Sequence, residues 1–202
     1  MGLAVVTAAL LAVGLDRAFE ASRGDPIHEA VSQGRVVPAP GFDLEVLNAG
    51  DLGAAPRRWW RVAHDGRVSL AELRGTPTVI NFWTGRCTPC RGEHHRLQQA
   101  ARAAGHGLVV LGVSSEPSSR HARALLDRLG LSFPQLLDDS GETARRWGVD
   151  GVPETFFLRP DGAIVGHVVG AATATQLRRG VAAAIAGRPA GLHRGGGRQT
   201  LE

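Results

Sequence analysis

The sequence predicts one α/β domain: a central mixed sheet with helices on both faces and an N-terminal hairpin extension. Three observations predict it. The run Thr78–Phe82 is β-branched, aromatic and uncharged, and it leads through a turn into a helical pattern. Further apolar runs alternate with amphipathic stretches. The chain then closes with two strand-like segments around a turn and a last helix. With 202 residues and 43% hydrophobic content, one cored domain plus extensions is expected. The expected division is a membrane anchor and tether over 1–37, the domain over 38–188 and a disordered tail over 189–202.

Taken in order, Gly2 to Leu15 is apolar and uncharged. It is shorter than the roughly 20 residues that span a bilayer, and it lacks a basic leader and a small-x-small cleavage site. A short anchor, the remnant of a longer segment and a packed helix are all open readings. Asp16 to Pro40 is polar with Gly and Pro and reads as a tether. Phe42, Leu44, Val46 and Leu47 suggest a first strand, and Asn48 to Pro56 a loop. Trp59 to Ala63, a turn at His64-Asp65-Gly66, and Val68 to Leu70 read as a hairpin. Arg57-Arg58-Trp59-Trp60-Arg61 reads as a strand with one Trp buried and one half exposed, with a partner-binding aromatic patch as the alternative.

Thr78 to Phe82 reads as a strand covered on both faces. Thr84-Gly85-Arg86 turns the chain. A helix then starts near Cys87, with Pro89 in its first turn and Leu97, Ala100, Ala101 and Ala104 at helical spacing. Leu108 to Val113 is a strand. Ser118 to Leu129 is a helix with Ser118 as N-cap and Gly130 as stop. Glu142 to Trp147 is a short helix ended by Gly148. Thr155 to Leu158 and Ile164 to Val169 are strands around Pro160-Asp161-Gly162. Thr173 to Ala186 is a closing helix, stopped by Gly187 and Pro189. There is no internal repeat.

Composition excludes several chemistries. The formal net charge is +4, and all 23 basic residues are Arg, spread among acids. Solvated faces explain them better than a nucleic-acid stripe. Without Lys there is no P-loop lysine and no Schiff base. Without Tyr there is no tyrosine acid. Patterns such as GxGxxG, HExxH and GxSxG are absent.

The chemistry concentrates at Cys87-Thr88-Pro89-Cys90, where a buried strand gives way to a helix. Unpaired N–H groups and the positive end of the helix dipole stabilise a thiolate at Cys87, and Arg86 adds a charge beside it. Cys87 is expected to be the open thiol and Cys90 the more shielded partner. Such a pair performs thiol–disulfide exchange. A structural bridge would close too small a loop to constrain the unfolded chain much. A zinc site would need a second ligand pair, and no third cysteine exists.

The run Asn81-Phe82-Trp83, the CxxC and Arg91-x-Glu93 resemble thioredoxin-like proteins of the TlpA/ResA/CcmG type, membrane-tethered thiol–disulfide oxidoreductases. The likeness extends from about Val36 to Ala186. One departure is Arg86, where that family usually has Trp. Gly151-Val152-Pro153-Glu154-Thr155 matches the family's cis-proline segment, and Glu154 resembles the CcmG-type variant in particular. The resemblance implies a thioredoxin-like fold with Cys87, Cys90 and Glu93 as catalytic residues. It places Val152, Pro153, Glu154, Trp83 and Arg86 at the substrate side. Glu93 would handle the proton of Cys90, with Glu154 as a second candidate. Val152 would pair with an extended substrate, and Trp83 would pack under the active-site turn.

The resemblance also implies protein disulfide or dithiol partners, apocytochrome c among them, and a membrane thiol donor. It implies no cofactor, no metal, a monomer, and a domain outside the cytoplasmic membrane on its N-terminal anchor. Two rivals remain open. A copper chaperone of Sco type would use Cys87, Cys90 and His94, with His167 as a distant ligand. Against it, His94 and His95 read as two exposed helical histidines. A thiol peroxidase would use Thr84 to Cys87 as its Thr-x-x-Cys motif, though Pro is normally that motif's middle residue.

Overall fold

The computed structural model describes residues 26–50, 66–191 and 193–201. The apolar run Gly2–Leu15 and the Trp59–Asp65 part of the expected hairpin lie outside the described residues. So does the question of an anchor. Among the described residues, no helix is long and apolar enough to cross a membrane.

The sheet is built outward from β4 (Thr78–Trp83), in which all six residues are buried. It pairs in parallel with β5 (Val109–Ser114) and antiparallel with β8 (Glu154–Leu158). Beyond β5 lies β6 (Gln135–Leu137), then β2 (Asp43–Asn48) and β3 (Arg67–Ser69). Beyond β8 lies β9 (Ala163–Val169), then β1 (Val37–Pro38). A strand buried on both faces needs helices on both, and the chain supplies them: α2 (Thr88–Ala104), α3 (Ser119–Leu129), α4 (Glu142–Arg146) and α5 (Ala174–Ala186). The expected mixed sheet and its thioredoxin-like order are therefore present.

Local signals explain the helix ends. The Ser118 side chain accepts from Arg120 N, and Gly130 closes α3 in the left-handed conformation. Thr173 and Gln176 form a capping box at the start of α5, and Gly187 ends it.

Four regions differ from the sequence reading. Within the expected tether, α1 (Pro26–Ser32) buries Ala30 and Val31 and packs on β9, and β1 extends the sheet. The apolar pair is too short a signal against the polar residues around it. The described partner of β3 is β2. Strand β6 had no reading at all. It is three residues long, and its first, Gln135, is polar yet fully buried. Finally, residues 193–201 of the expected disordered tail are ordered. Within them β10 (Gln199–Thr200) pairs with β7 (Gly151–Val152).

Candidate active site

β4 delivers the chain to the turn that holds the two cysteines. Thr84 O accepts from Cys87 N at 3.1 Å. Cys87 then caps α2, its Sγ accepting from Cys90 N at 3.2 Å, with Pro89 in the first turn. The helix thus aims its unpaired amides at the Cys87 sulfur, the arrangement that favours a thiolate. Cys87 and Cys90 form a disulfide with Cα atoms 5.4 Å apart. Gly85 is dictated by packing: a Cβ there would stand 2.3 Å from the backbone carbon of His121 on α3. Glu116 fixes the turn from outside, its Oε1 accepting from Gly85 N at 2.6 Å and from Ser114 Oγ at 3.1 Å.

Both cysteines are fully buried, so the expected opening at Cys87 is absent. The C-terminal segment packs on the residue between them: a Cβ on Gly197 would stand 3.3 Å from Pro89 Cγ.

Glu93 lies one turn beyond Cys90 and is fully buried. Its Oε1 accepts from Thr155 Oγ1 at 2.9 Å and from Ala172 N at 2.8 Å, and its Oε2 from Asn81 Nδ2 at 3.0 Å. Burial raises its pKa to about 7, against the pull of those three donors. Asn81 Oδ1 has no partner among the described residues. Turning that amide over would offer Oδ1 to a protonated Glu93. The pair can therefore hold the carboxyl in either form.

A second buried carboxylate sits at Glu154, just past the proline. The Val152–Pro153 peptide bond is cis, and Val152, Pro153 and Glu154 are all buried. Glu154 Oε2 lies 2.8 Å from His167 Nε2, and its Oε1 bonds the Arg198 guanidinium, which also bonds Asp150. Burial raises the Glu154 pKa to about 7, with Arg198 opposing. His28 of α1 meets His167 edge to face at 5.1 Å, and burial lowers its pKa. Sequence reasoning missed Arg198, Asp150 and His28, because nothing in a polar tail or a polar tether marks a partner for a distant glutamate.

Arg86 and His94 complete the surroundings of the cysteines. Arg86 is exposed, and its guanidinium donates to His121 Nε2 at 3.1 Å. His94 is buried rather than exposed; only His95 faces solvent. The reason is Trp83, fully buried beneath the turn, whose ring takes His94 edge to face at 4.9 Å. Neither His94 nitrogen has a partner among the described residues, and burial lowers its pKa to about 4. Also among the described residues, no group of three His, Cys, Asp or Glu could hold a metal ion. His167, the distant ligand considered for copper, instead faces Glu154.

The chain is similar to several known proteins. The chain is 31% identical over 116 residues to the thiol:disulfide interchange protein CycY of Rhizobium leguminosarum bv. viciae, covering 57% of this chain and 61% of that one. It therefore spans about three fifths of that relative's length. It is 26% identical over 150 residues to the thiol-disulfide oxidoreductase ResA of Bacillus subtilis, covering 74% of each. A crystal structure of a putative thiol:disulfide interchange protein DsbE from Chlorobium tepidum superposes with a TM-score of 0.58 at 25% identity, over 74% of this chain and 96% of that one. The AhpC/TSA family model matches residues 38–167, and the chain belongs to that family.

Proposed function

We propose that the protein is a thiol–disulfide oxidoreductase that exchanges its CxxC dithiol with disulfides in protein partners. The observation that carries this is the Cys87–Cys90 disulfide at the start of α2, with Glu93 buried one turn further along. The Cys87 thiolate attacks one sulfur of a partner disulfide. A mixed disulfide forms and the partner's other sulfur leaves as thiolate. The Cys90 thiol passes its proton towards Glu93 and attacks the Cys87 sulfur. The internal disulfide forms, the second partner thiolate leaves, and two electrons have moved to the partner. Glu93 suits this role because its pKa of about 7 lets it accept and return a proton near neutrality.

On the substrate side, the reading assigns Val152, Pro153 and Glu154 to an extended segment of the partner, with Arg86 at the rim and Trp83 as the support beneath. It extends, through relatives named for thiol–disulfide interchange, to apocytochrome c as a partner and to a membrane thiol as electron donor. It places the domain, as a monomer, outside the cytoplasmic membrane on its N-terminal apolar run.

The test uses two variants. Cys87→Ser should abolish reduction of insulin disulfides, and Cys90→Ser should accumulate mixed disulfides through Cys87. Full turnover by Cys90→Ser, or peroxide turnover exceeding disulfide turnover, would defeat the reading.

A further inference from the structure

We propose that strand β7 and the paired carboxylates Asp150 and Glu154 form a binding site for an extended, arginine-bearing segment, and that the chain's own residues 193–201 occupy it. This rests on the exchange reading of the site and names the ligand chemistry that the site takes.

The occupant is a nine-residue segment: His193, Arg194, three glycines, Arg198, Gln199, Thr200 and Leu201. It is tied down along its length by backbone bonds. Val169 N donates to His193 O at 3.3 Å, and Gly195 N to Val169 O at 2.8 Å. Gly196 N donates to Ala171 O at 2.8 Å, and Ala171 N to Gly197 O at 3.0 Å. Gln199 then stands opposite Val152 and Thr200 opposite Gly151, and Leu201 N donates to Asp150 O at 3.1 Å. This is strand addition at an edge with no other strand partner among the described residues. Gly197 lies on Pro89, between the two cysteines, and Gln199 lies on Val152, just before the cis bond. Two residues reach about 7 Å, so one short segment covers both halves of the dithiol site.

Specificity comes from Arg198. Its guanidinium bonds both Asp150 and Glu154, whose own carboxylate is almost fully buried. A buried carboxylate demands a cation or a proton. A fork of N–H donors satisfies two carboxylates at once, which a single ammonium does less well. Gly151 makes the approach feasible, since a Cβ there would stand 2.8 Å from Arg198 Cζ. Opposing this, the three glycines lose more backbone freedom on ordering than any other residues would. The segment is thereby held loosely enough to be displaced. A partner strand with an arginine in register would compete with it against an effective concentration on the order of millimolar.

The test reads opening of the disulfide in the full-length protein. Arg198→Glu sets a third carboxylate against Asp150 and Glu154. Gly195→Val pushes the segment off independently, since a Cβ there would stand 2.6 Å from Ala171 O. Each should speed reduction of the Cys87–Cys90 disulfide by dithiothreitol about tenfold, the fold-change equivalent to about 1.4 kcal/mol. A synthetic peptide, His-Arg-Gly-Gly-Gly-Arg-Gln-Thr-Leu, added at millimolar concentration should return the Arg198→Glu rate towards wild type. The same peptide with its second arginine replaced by glutamate should not. Equal reduction rates in all three proteins would overturn the proposal, as would equal effects of the two peptides. Reduction by dithiothreitol is reagent chemistry, so it reads the segment even if the protein failed to reduce insulin. Failure of the exchange reading would show only in the insulin assay.

Discussion

Glu93 and Glu154 are two buried glutamates on either side of the same site, each with a pKa raised to about 7 by burial. Their partners differ. Glu93 is enclosed by neutral donors fixed in the core: an Asn amide, a Thr hydroxyl and a backbone N–H. Glu154 faces a His and an Arg, and the Arg side chain is 30% exposed. A neutral shell lets a carboxyl change protonation with no more than a turn of the Asn81 amide, which suits proton transfer. The Arg198 cation ties the carboxylate's charge to a segment that can leave, which suits recognition.

The largest expected effect comes from emptying each shell. Glu93→Ala strands two or more buried donors, including the immovable Ala172 N–H, and should cost roughly 3–5 kcal/mol. Glu154→Ala should cost about half that, because Arg198 keeps Asp150 and gains water, and only the buried His167 Nε2 loses its Glu154 partner. Urea unfolding of both variants checks the order. Equal losses would mean that the neutral shell is as adaptable as the charged one.

The second effect is the pH dependence of stability. The folded pKa of Glu93 lies above its ordinary value of 4.5. Its stabilising share is full below that value and is lost as pH rises through about 7. The next residue, His94, has the opposite sign. Its folded pKa lies below 6.5, at about 4, so its share is full above 6.5 and is lost as pH falls towards 4. In wild type Glu154, raised to about 7 like Glu93, adds a slope of the same sign, while His94 and the lowered His28 oppose the two glutamates. Glu93→Gln should flatten the profile between pH 4.5 and 7, because Glu154 and His94 then oppose one another with shifts of similar size. His94→Leu should leave it falling from pH 4.5 to 7, on a baseline raised by removing a buried imidazole with unsatisfied nitrogens. Thermal melts across pH 4–8 measure both slopes. Parallel profiles for the two variants would contradict the assignment.

How much of this was legible in the sequence follows the range of the interactions. Thr78–Phe82, the Ser118 and Thr173 caps and the CxxC are local, and a window of a few residues contains each. The resemblance in turn picked out Glu93 and Glu154. Their shells were not legible, because the partners of Glu93 come from β4, β8 and the loop before α5, and those of Glu154 from β9 and the C-terminal segment. The same holds for His94. It shares a helix with exposed residues, and only the position of Trp83 on β4 decides that it faces inward. Three consecutive glycines read as disorder for sound entropic reasons. What orders them is Val169 at the end of β9 and Ala171 just beyond it, about 25 residues earlier in the chain, and the strand pairing that follows is only two residues long, at β7.

A smaller effect separates the shells by salt. Raising NaCl from 0.1 to 1 M shortens the screening length from about 10 Å to about 3 Å. The partly exposed Arg198 and the exposed Asp150 feel that change, whereas the neutral donors bonded to Glu93 do not, and the Arg96 charge acts on Glu93 less than any of those donors. Carboxyl carbon shifts followed by NMR should show the Glu154 midpoint moving upward by several tenths of a unit while that of Glu93 stays in place. A shift of equal size at both would erase the distinction.

The smallest expected effect is that of Arg86, a charge beside the site that belongs to neither shell. Its guanidinium donates to His121, which in turn lies 4.0 Å from Glu116 Oε2, and the Arg is exposed. Exposed pairs of this kind contribute about 0–1 kcal/mol. One pKa unit corresponds to about 1.36 kcal/mol, so the charge moves a neighbouring thiol by well under a unit. Most of the thiolate stabilisation at Cys87 then falls to the first turn of α2, whose amide already reaches the sulfur in the oxidised protein. Arg86→Trp should raise the Cys87 pKa slightly and slow iodoacetamide alkylation at pH 7 by about twofold. A tenfold slowing would mean that reduction swings Arg86 away from His121 and onto the thiolate. The cation-rich and neutral halves of the site would then be coupled through the turn itself.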